Sequence, residues 1–244
     1  MADQADASRS AYSRVLLKIS GESLCGPDSQ GIDIDFVGRT ADLVTVATAM
    51  GVQVAIVIGG GNIIRGAQLS KLGINRATAD YMGMLGTAIN ALALQDALEK
   101  KGLDTRICSG LDINQVAEPF VRRRAVRHLE RGRAVILACG SGAPYFTTDT
   151  AAALRAMELG AEVLLKATKV DGVYDKDPKV HEDASRIPAI SYMDVMNRGL
   201  GIMDKTAITL CMENNLPIVV FDLNTPDDFR GVLQKKSVGT IISA

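Results

Sequence analysis

The sequence has few of the residues that most often build zinc sites, disulfide frameworks or acyl-transfer centres. It holds two histidines, four cysteines and no tryptophan among its 244 residues. The cysteines are Cys25, Cys108, Cys139 and Cys211. Zinc ligands and disulfide frameworks show short, clustered spacings, and these cysteines do not, so we predict reduced and mostly buried thiols. His128 and His181 stand among polar neighbours, and we expect both to be solvated surface groups.

The chain also lacks a strong excess of charge and any long apolar run. Its formal net charge is −1, whereas dedicated nucleic-acid-binding domains are usually strongly basic. No stretch approaches the roughly 18 apolar residues that predict a membrane-spanning helix. Residues 1–13 are polar and hold no apolar core of a secretory signal. We therefore expect a flexible tail at 1–13, one domain over residues 14–244, and a cytoplasmic location.

Short apolar runs alternate with segments of helical periodicity. Strands are predicted at 15–19, 52–58, 105–108, 134–138, 163–166, 218–221 and 240–242. Helices are predicted at 36–50, 77–101, 118–131, 149–159, 192–197, 204–214 and 226–234. Continuous apolar runs are typical of strands that are covered on both faces. The alternation predicts an α/β fold, a three-layer sandwich around a largely parallel β-sheet.

The loops after the first two strands are candidate phosphate sites, because ligands of open α/β sheets bind beyond the carboxyl ends of the strands. The second of these loops opens with Gly59-Gly60-Gly61 and reaches Arg65. Three glycines let backbone N–H groups approach an anion closely, and an arginine can place two donors on a phosphate. The segment fits neither G-x-x-x-x-G-K-[ST] nor G-x-G-x-x-G. Taken alone, it is explained equally well by a tight strand-to-helix turn.

Two loops after later strands carry further polar side chains. Residues 140–149 (GSGAPYFTTD) are small and rich in hydroxyl groups, although Thr148 or Asp149 could simply cap the next helix. Residues 166–178 (KATKVDGVYDKDP) combine lysines, aspartates and a tyrosine directly after an apolar strand. A surface turn explains Asp177-Pro178, but it does not readily explain a basic pair beside an aromatic residue. A surface turn alone therefore does not explain the composition of this last loop.

Five motifs stand in a fixed order along the chain. They are LLKISGES (16–23), IGGGNIIRG (58–66), ADYMGMLGTAINALALQDAL (79–98), PYFTTDTAAALRA (144–156) and LLKATKVDGVYDKDP (164–178). Together they closely resemble the bacterial UMP kinases of the amino-acid kinase superfamily, and the likeness runs from about residue 14 to the C-terminus. The resemblance implies the amino-acid kinase fold. It also implies transfer of the γ-phosphoryl group of ATP to UMP, giving UDP in pyrimidine nucleotide biosynthesis.

The same resemblance implies roles for individual residues. The expected ATP-binding residues are Lys18, Ile19, Ser20, Gly21, Gly61, Arg65, Thr168, Tyr174 and Asp177. The expected UMP-binding residues are Gly60, Asp80, Ser141, Gly142, Ala143, Pro144, Tyr145, Phe146, Thr147 and Thr148. The expected catalytic residues are Lys18, Arg65, Asp149, Lys166 and Asp204. In this set Lys18 touches the transferred group and Lys166 adds a second cation. Asp149 and Asp204 orient the lysines or hold magnesium-bound water.

The resemblance further implies Mg²⁺ that enters with ATP and has no direct protein ligand. It implies a homo-oligomer, most simply a hexamer, with activation by GTP and inhibition by UTP. Arg133 matches the GTP effector region, but Gln95 and Glu99 replace basic residues that some relatives have there. Ala143 stands where relatives commonly have asparagine. We expect no membrane partner and no nucleic acid partner.

Alternatives remain for several of these features. The helical stripe of Tyr81, Met84, Leu85, Ala88 and Leu92 is either a dimer surface or ordinary core. The arginines between 118 and 133 form either an effector site or a solvated helix face. Another kinase of this fold would use a different acceptor, against which Asp80 and the hydroxyl-rich loop argue. An oxyanion-storage protein would be expected to lack Lys18, and a nucleotide-sensing regulatory role in addition to catalysis stays open.

Overall fold

A large, mostly parallel sheet forms the centre of the molecule. The computed structural model describes residues 10–25, 31–176, 178 and 180–244. The strands in these ranges are β1 (Arg14–Ile19), β2 (Gln53–Ile58), β3 (Thr105–Ser109), β4 (Glu118–Pro119), β5 (Ala134–Ala138), β6 (Val163–Thr168), β7 (Val173–Tyr174), β8 (Arg186–Ile187), β9 (Ala189–Ser191), β10 (Ile218–Asp222) and β11 (Thr240–Ser243). Nine of these described strands pair in the order β4-β3-β5-β2-β1-β6-β10-β11-β9. All neighbours are parallel except β10 and β11, and β7 and β8 form a separate antiparallel pair.

Helices cover both faces of this sheet. The described helices are α1 (Ile34–Ala49), α2 (Gly66–Lys71), α3 (Arg76–Lys100), α4 (Arg122–Glu130), α5 (Thr148–Leu159), α6 (Tyr192–Asn197), α7 (Lys205–Glu213) and α8 (Pro226–Leu233). A short 3-10 helix (Gly21–Leu24) follows β1. One apolar core packs against α1, α3 and α8, and the other packs against α4, α5, α6 and α7. The predicted three-layer α/β sandwich is confirmed.

Strand β1 illustrates why the central strands read as continuous apolar runs. Leu17 and Ile19 belong to the core under α1 and α3, whereas Leu16 belongs to the core on the other side. Because successive side chains of a strand point to opposite faces, Lys18 lies on the same face as Leu16. This lysine is only 7% exposed. A cation is therefore held at the carboxyl end of a strand that is buried on both faces.

The start of α5 corrects one prediction made from the sequence. Thr147 is the N-cap residue, and its hydroxyl accepts hydrogen bonds from the backbone N–H groups of Asp149 and Thr150. Thr148 is already the first helical residue, so the interpretation of Thr148 or Asp149 as the cap is wrong. Because Thr147 satisfies the free N–H groups of the first turn, the carboxylate of Asp149 is available for other partners.

The predicted helix at 118–131 begins too early. Glu118 and Pro119 form β4, which pairs with the end of β3, and the helix starts only at Arg122. Proline disfavours the helical region for the residue before it, and it offers no N–H group of its own. The elements α2, β7, β8 and β9 were not predicted. The three strands have only two or three residues, too few to show an alternation of apolar and polar side chains, and α2 contains a single large apolar residue, Leu69.

One of the two histidines was also predicted wrongly. His128 is only 8% exposed. Its Nε2 lies 3.3 Å from a carboxylate oxygen of Glu118, and its Nδ1 lies 3.1 Å from a guanidinium nitrogen of Arg133. His181 is exposed, as predicted. Glu118 and Arg133 therefore supply polar contacts to both ring nitrogens of a buried histidine.

All four cysteines are free and buried, which confirms their prediction. Burial raises the pKa of Cys108 to about 12, and it raises the pKa of Cys211 to about 12 as well. Because the thiolate is the reactive form of cysteine, these two thiols are poor nucleophiles at neutral pH.

The predicted N-terminal tail contacts the body of the molecule before residue 14. Ser10 Oγ and the backbone N of Ala11 donate to the carbonyl of Leu233, over 3.1 and 2.8 Å. Tyr12 is buried beneath the ammonium group of Lys235. These contacts place residues 10–13 with the folded domain, while residues 1–9 lie outside the described residues.

Among the described helices, none has both the length and the apolar composition of a membrane-spanning helix.

Candidate active site

Two lysines meet one carboxylate at the carboxyl end of the sheet. Lys18 of β1 and Lys166 of β6 are in register on neighbouring parallel strands, so their side chains project from the same face. Asp149, in the first turn of α5, lies between them. Its Oδ1 is 2.8 Å from Lys18 Nζ and its Oδ2 is 3.1 Å from Lys166 Nζ. Lys166 also donates to the carbonyl of Ile202. The structure thus brings together three of the five predicted catalytic residues.

Burial sets the charge state of this cluster. The side chains of Lys18, Lys166 and Asp149 are 9%, 13% and 17% exposed. Burial opposes ionisation of Asp149, but the charges of Lys18 and Lys166 more than offset it, so its pKa lies below its ordinary value. Burial lowers the pKa of Lys166, and Asp149 restores part of that loss. Two cations share one anion here, so the cluster is suited to receive a further anion.

Asp204 lies beside this cluster and connects its supporting helices. It caps α7 by accepting from Ala207 N over 3.0 Å. Its carboxylate also accepts from Thr147 Oγ1 over 2.5 Å and from Thr150 Oγ1 over 2.9 Å. Burial lowers the pKa of Lys166, and the negative charge of Asp204 offsets a small part of that lowering. Among the described contacts Asp204 holds the start of α5, so it supports Asp149 rather than hydrogen-bonding a lysine.

A cavity of about 560 Å³ opens on one side of the lysines. Lys166, Thr168 and Tyr174 line it, and residues 199–202 form the opposite wall. Thr168 Oγ1 donates to Val170 O over 2.5 Å, and the Tyr174 hydroxyl donates to Asp171 over 2.7 Å. Two predicted ATP-binding residues therefore share one cavity with a predicted catalytic lysine. Asp177, a third predicted residue, lies outside the described residues.

A second cavity, of about 460 Å³, opens beside the glycine loop. The predicted UMP-binding residues that line it are Gly60, Asp80, Ser141, Phe146, Thr147 and Thr148. Asp80 joins the two halves of this cavity, because the backbone N of Tyr145 donates to its Oδ2 over 2.8 Å. Gly142, Ala143, Pro144 and Tyr145 belong to the same loop but do not line the cavity. The structure thus gathers α3, the glycine loop and the hydroxyl-rich loop around one space.

The loops after β1 and β2 pack directly against each other. A Cβ atom added to Gly21 would lie 2.5 Å from the backbone N of Gly61, which leaves no room for any side chain. Arg65 is the N-cap residue of α2, and its guanidinium lies 2.9 Å from the carboxylate of Glu22. Glu22, Gly61 and Arg65 all line the second cavity. Gly61 and Arg65, the predicted hydrogen-bond donors to phosphate, therefore lie at the junction of the two loops.

Comparison with known proteins identifies the family. A sequence profile of the amino acid kinase family matches residues 13–222. The chain belongs to the amino acid kinase family. It is similar to the UMP kinase from Bacillus anthracis, with a TM-score of 0.92 and 38% identity over 95% of this chain and 96% of that one. It is also similar to the UMP kinase from Ureaplasma parvum, with a TM-score of 0.89 and 36% identity over 95% and 99% of the two chains.

A third solved structure is more distant. The uridylate kinase from Archaeoglobus fulgidus matches with a TM-score of 0.71 and 26% identity, over 94% of this chain and 99% of that one.

Arg133 lies apart from the 560 Å³ and 460 Å³ cavities. Its Nε is 2.6 Å from Asp104, and its guanidinium also contacts His128. It lines neither the 560 Å³ cavity nor the 460 Å³ cavity. On α4 and its C-cap, Arg123, Arg127 and Arg131 are exposed. The predicted effector residue is thus structurally separate from the predicted catalytic residues.

Two charged residues of the second cavity were not predicted. Arg76 pairs with Asp80 through a bond of 2.9 Å, and Glu22 pairs with Arg65. The first pair has the i, i+4 spacing that predicts a contact on one helix face, so charge spacing could have found it. The second pair joins loops from different strands, and no spacing along the chain indicates it.

Proposed function

We propose that this protein is a UMP kinase, which transfers the γ-phosphoryl group of ATP to UMP and releases UDP and ADP. The observation that carries the proposal is the position of the lysine cluster. Lys166 lines the cavity that contains the expected ATP residues, and Lys18 shares Asp149 with it. The other cavity contains the expected UMP residues and Arg65. A donor in one cavity and an acceptor in the other would meet near these cations.

The reaction needs positioning and charge stabilisation more than covalent help. Its transition state is loose, with negative charge spread over the oxygens of the moving group. The acceptor is a phosphate oxygen that is already anionic, so no general base is required. Lys18 would contact the transferred group, Lys166 would add a second cation, and Arg65 would leave Glu22 to bind phosphate. Together these cations offset the repulsion between two polyanions.

Magnesium would enter with ATP. The described part of the chain contains no group of three or more His, Cys, Asp or Glu side chains placed to hold a metal ion. Both oxygens of Asp149 face lysines. Triphosphate oxygens would carry most of the coordination of such an ion, and Asp204 would be the carboxylate that holds one of its waters. When bound, the ion neutralises charge on the phosphoryl groups.

Substrate choice tests the proposal. In a coupled assay with ATP and Mg²⁺, we expect kcat/KM for UMP to exceed that for CMP, AMP or GMP by at least about 100-fold. A wrong base would leave polar groups of the hydroxyl-rich loop without hydrogen-bond partners, and this loss would weaken its binding. Protein carrying Lys18→Ala, purified in parallel, controls for a contaminating kinase. Faster turnover of AMP, or of an amino acid, would reject the assignment.

We further propose a homo-oligomer, a hexamer, in which α3 forms a dimer contact. Met84 and Ala88 of the predicted stripe are buried in the core. The stripe that remains exposed consists of Tyr81, Leu85, Ile89 and Leu92, between 40% and 47% exposed. These residues recur at helical spacing on one face. A second copy of the chain would cover this apolar surface.

Light scattering tests this contact. We expect the Leu85→Glu, Ile89→Glu double variant to dissociate into a smaller species, because the interface would bury two unpaired charges. Leu72→Glu is the control, since Leu72 is 80% exposed and lies off α3. A parent protein that is monomeric at micromolar concentration would refute the oligomer.

We also propose activation by GTP through Arg133, with inhibition by UTP. The effector phosphates would compete with Asp104 for the guanidinium. Arg133→Ala is expected to abolish the response to GTP while basal turnover stays close to that of the parent, because Arg133 lines neither cavity. Arg123→Ala, an exposed arginine on the same segment, should respond normally. Steady-state rates with and without GTP measure the effect, and a parent that ignores GTP contradicts it.

A further inference from the structure

The segment of α3 from Thr87 to Asn90 is hydrogen-bonded to both loops that border the acceptor cavity, the 460 Å³ cavity that contains the expected UMP-binding residues. Thr87 is 5% exposed. Its Oγ1 accepts from the backbone N of Cys139 over 2.7 Å and donates to Met84 O over 2.7 Å. Cys139 follows β5 and has a positive φ of 59°, a conformation that few residues adopt without support. The hydroxyl of Thr87 thus fixes Cys139, the residue immediately before the hydroxyl-rich loop.

Asn90 holds the glycine loop one turn further along the same helix. Its Nδ2 donates to Gly59 O over 2.7 Å and to Asn62 Oδ1 over 2.7 Å. Asn62 Nδ2 donates in return to Asn90 Oδ1 over 3.0 Å and to Gly31 O over 2.7 Å. Asn62 and Asn90 are 2% and 1% exposed. Only a side chain with both donors and an acceptor can make this reciprocal pair.

The backbone packing between the two tethers is equally close. A Cβ atom on Gly60 would lie 2.6 Å from Gly83 O and 2.9 Å from Thr87 N. The glycine loop therefore rests on α3 without an intervening side chain. Because packed interiors transmit small displacements, a shift of either loop relative to this helix would change the width of the acceptor cavity.

We propose that Thr87 and Asn90 are positioning residues that hold the two loops of the acceptor cavity at a fixed separation through α3. The proposal rests on the proposed function, because it assigns that separation to alignment of the acceptor phosphate with the donor. Neither residue transfers a proton or carries charge. Each acts through the backbone that it holds, Thr87 through Cys139 and Asn90 through Gly59.

A matched pair of substitutions tests Thr87. Thr87→Val preserves the shape but removes the hydroxyl, and Thr87→Ser preserves the hydroxyl. We expect Thr87→Val to raise KM for UMP and lower kcat, for a combined loss in kcat/KM of roughly 10–100-fold. KM for ATP should change by less than about threefold, since the 560 Å³ cavity with the expected ATP-binding residues lies on the other side of the lysines. Thr87→Ser should restore both UMP constants.

Asn90→Leu should give the same kinetic pattern, and Leu98→Ala is its control for general destabilisation. Leu98 is fully buried at the far end of α3, so its truncation should lower the melting temperature without changing KM for UMP. If the Thr87→Val and Asn90→Leu variants behave like Leu98→Ala, the two residues are only structural and the proposal is overturned.

Amide hydrogen exchange on the ligand-free protein gives a readout that does not depend on the substrate. Thr87→Val should accelerate exchange at Cys139 and Gly142, and Asn90→Leu should accelerate it at Gly59, relative to Leu98→Ala. Unchanged exchange at these amides would refute the tethers even if the kinetics changed. A parent without UMP kinase activity would refute the proposed function, while the exchange result would still decide whether the tethers hold the loops.

Discussion

Replacing Lys18 by alanine is expected to lower kcat by roughly 10²–10³, as loss of one donor to a developing oxyanion does. KM for UMP should change much less. Lys18 lies at the end of β1, 2.8 Å from Asp149 and almost without access to solvent. In the proposed reaction its charge is used mainly on the transferred group, and an interaction made only in the transition state affects kcat rather than binding.

Steady-state kinetics with UMP varied at saturating ATP measures this effect. Lys71→Ala is the matched control, because Lys71 is an exposed lysine at the end of α2. Circular dichroism of the Lys18→Ala variant verifies that the fold is retained. A near-normal kcat would mean that Lys18 is merely a strand-end charge, and the proposed mechanism would then be wrong.

Replacing Asp149 by alanine is expected to lower the free energy of unfolding by roughly 3–5 kcal/mol at neutral pH. Removal of this carboxylate leaves Lys18 and Lys166 buried side by side with no anion between them. Activity should fall as well, because the lysines lose the group that orients them. Urea unfolding of the parent and the variant measures the difference. Asp42→Ala is the control, since its pair with Lys101 is largely exposed and should contribute less than about 1 kcal/mol.

The same carboxylate predicts a pH dependence of stability. The pKa of Asp149 is lowered from 3.8 in the folded protein. Its stabilisation is therefore fully present above that unfolded-state value, and it is lost as the pH falls through the lower folded-state pKa. The difference in stability between the parent and Asp149→Ala should narrow across this acidic range. A constant difference from neutral pH into that range would show that the ion pairs do not stabilise the fold.

Much of the fold could be predicted from the sequence because its signals are local. Strand β5 was predicted at 134–138, where the structure has it, because its apolar run is too short for a typical helix and Gly140 follows closely. Helix α3 was predicted within one residue at each end, because its 25 residues contain many repeats of the helical period. The two-residue strand β4 could not be predicted in this way. Its pairing with the end of β3, and no local pattern, decided the conformation of Glu118 and Pro119.

In the candidate site, too, local motifs could be predicted from the sequence, whereas contacts between distant segments could not. The motifs and the resemblance that they carry were sufficient to propose Lys18, Asp80, Asp149 and Lys166 as functional residues. Motifs do not report distances between residues that are far apart in sequence. Asp149 lies 131 residues after Lys18 in the chain, yet their charged atoms are 2.8 Å apart, and their pairing depends on which strands are neighbours. The contact between Asp80 and the backbone of Tyr145 is another product of the loop arrangement.

The sequence by itself thus determined the fold class and the family, and it supplied the candidate reactive side chains, because periodicity and motifs are properties of short stretches of chain. The tertiary structure alone decided the burial of His128 and the tethering of two loops by Thr87 and Asn90. Each of these depends on tertiary packing that buries a polar side chain. There it must find a partner, since an unpaired buried polar group destabilises the fold.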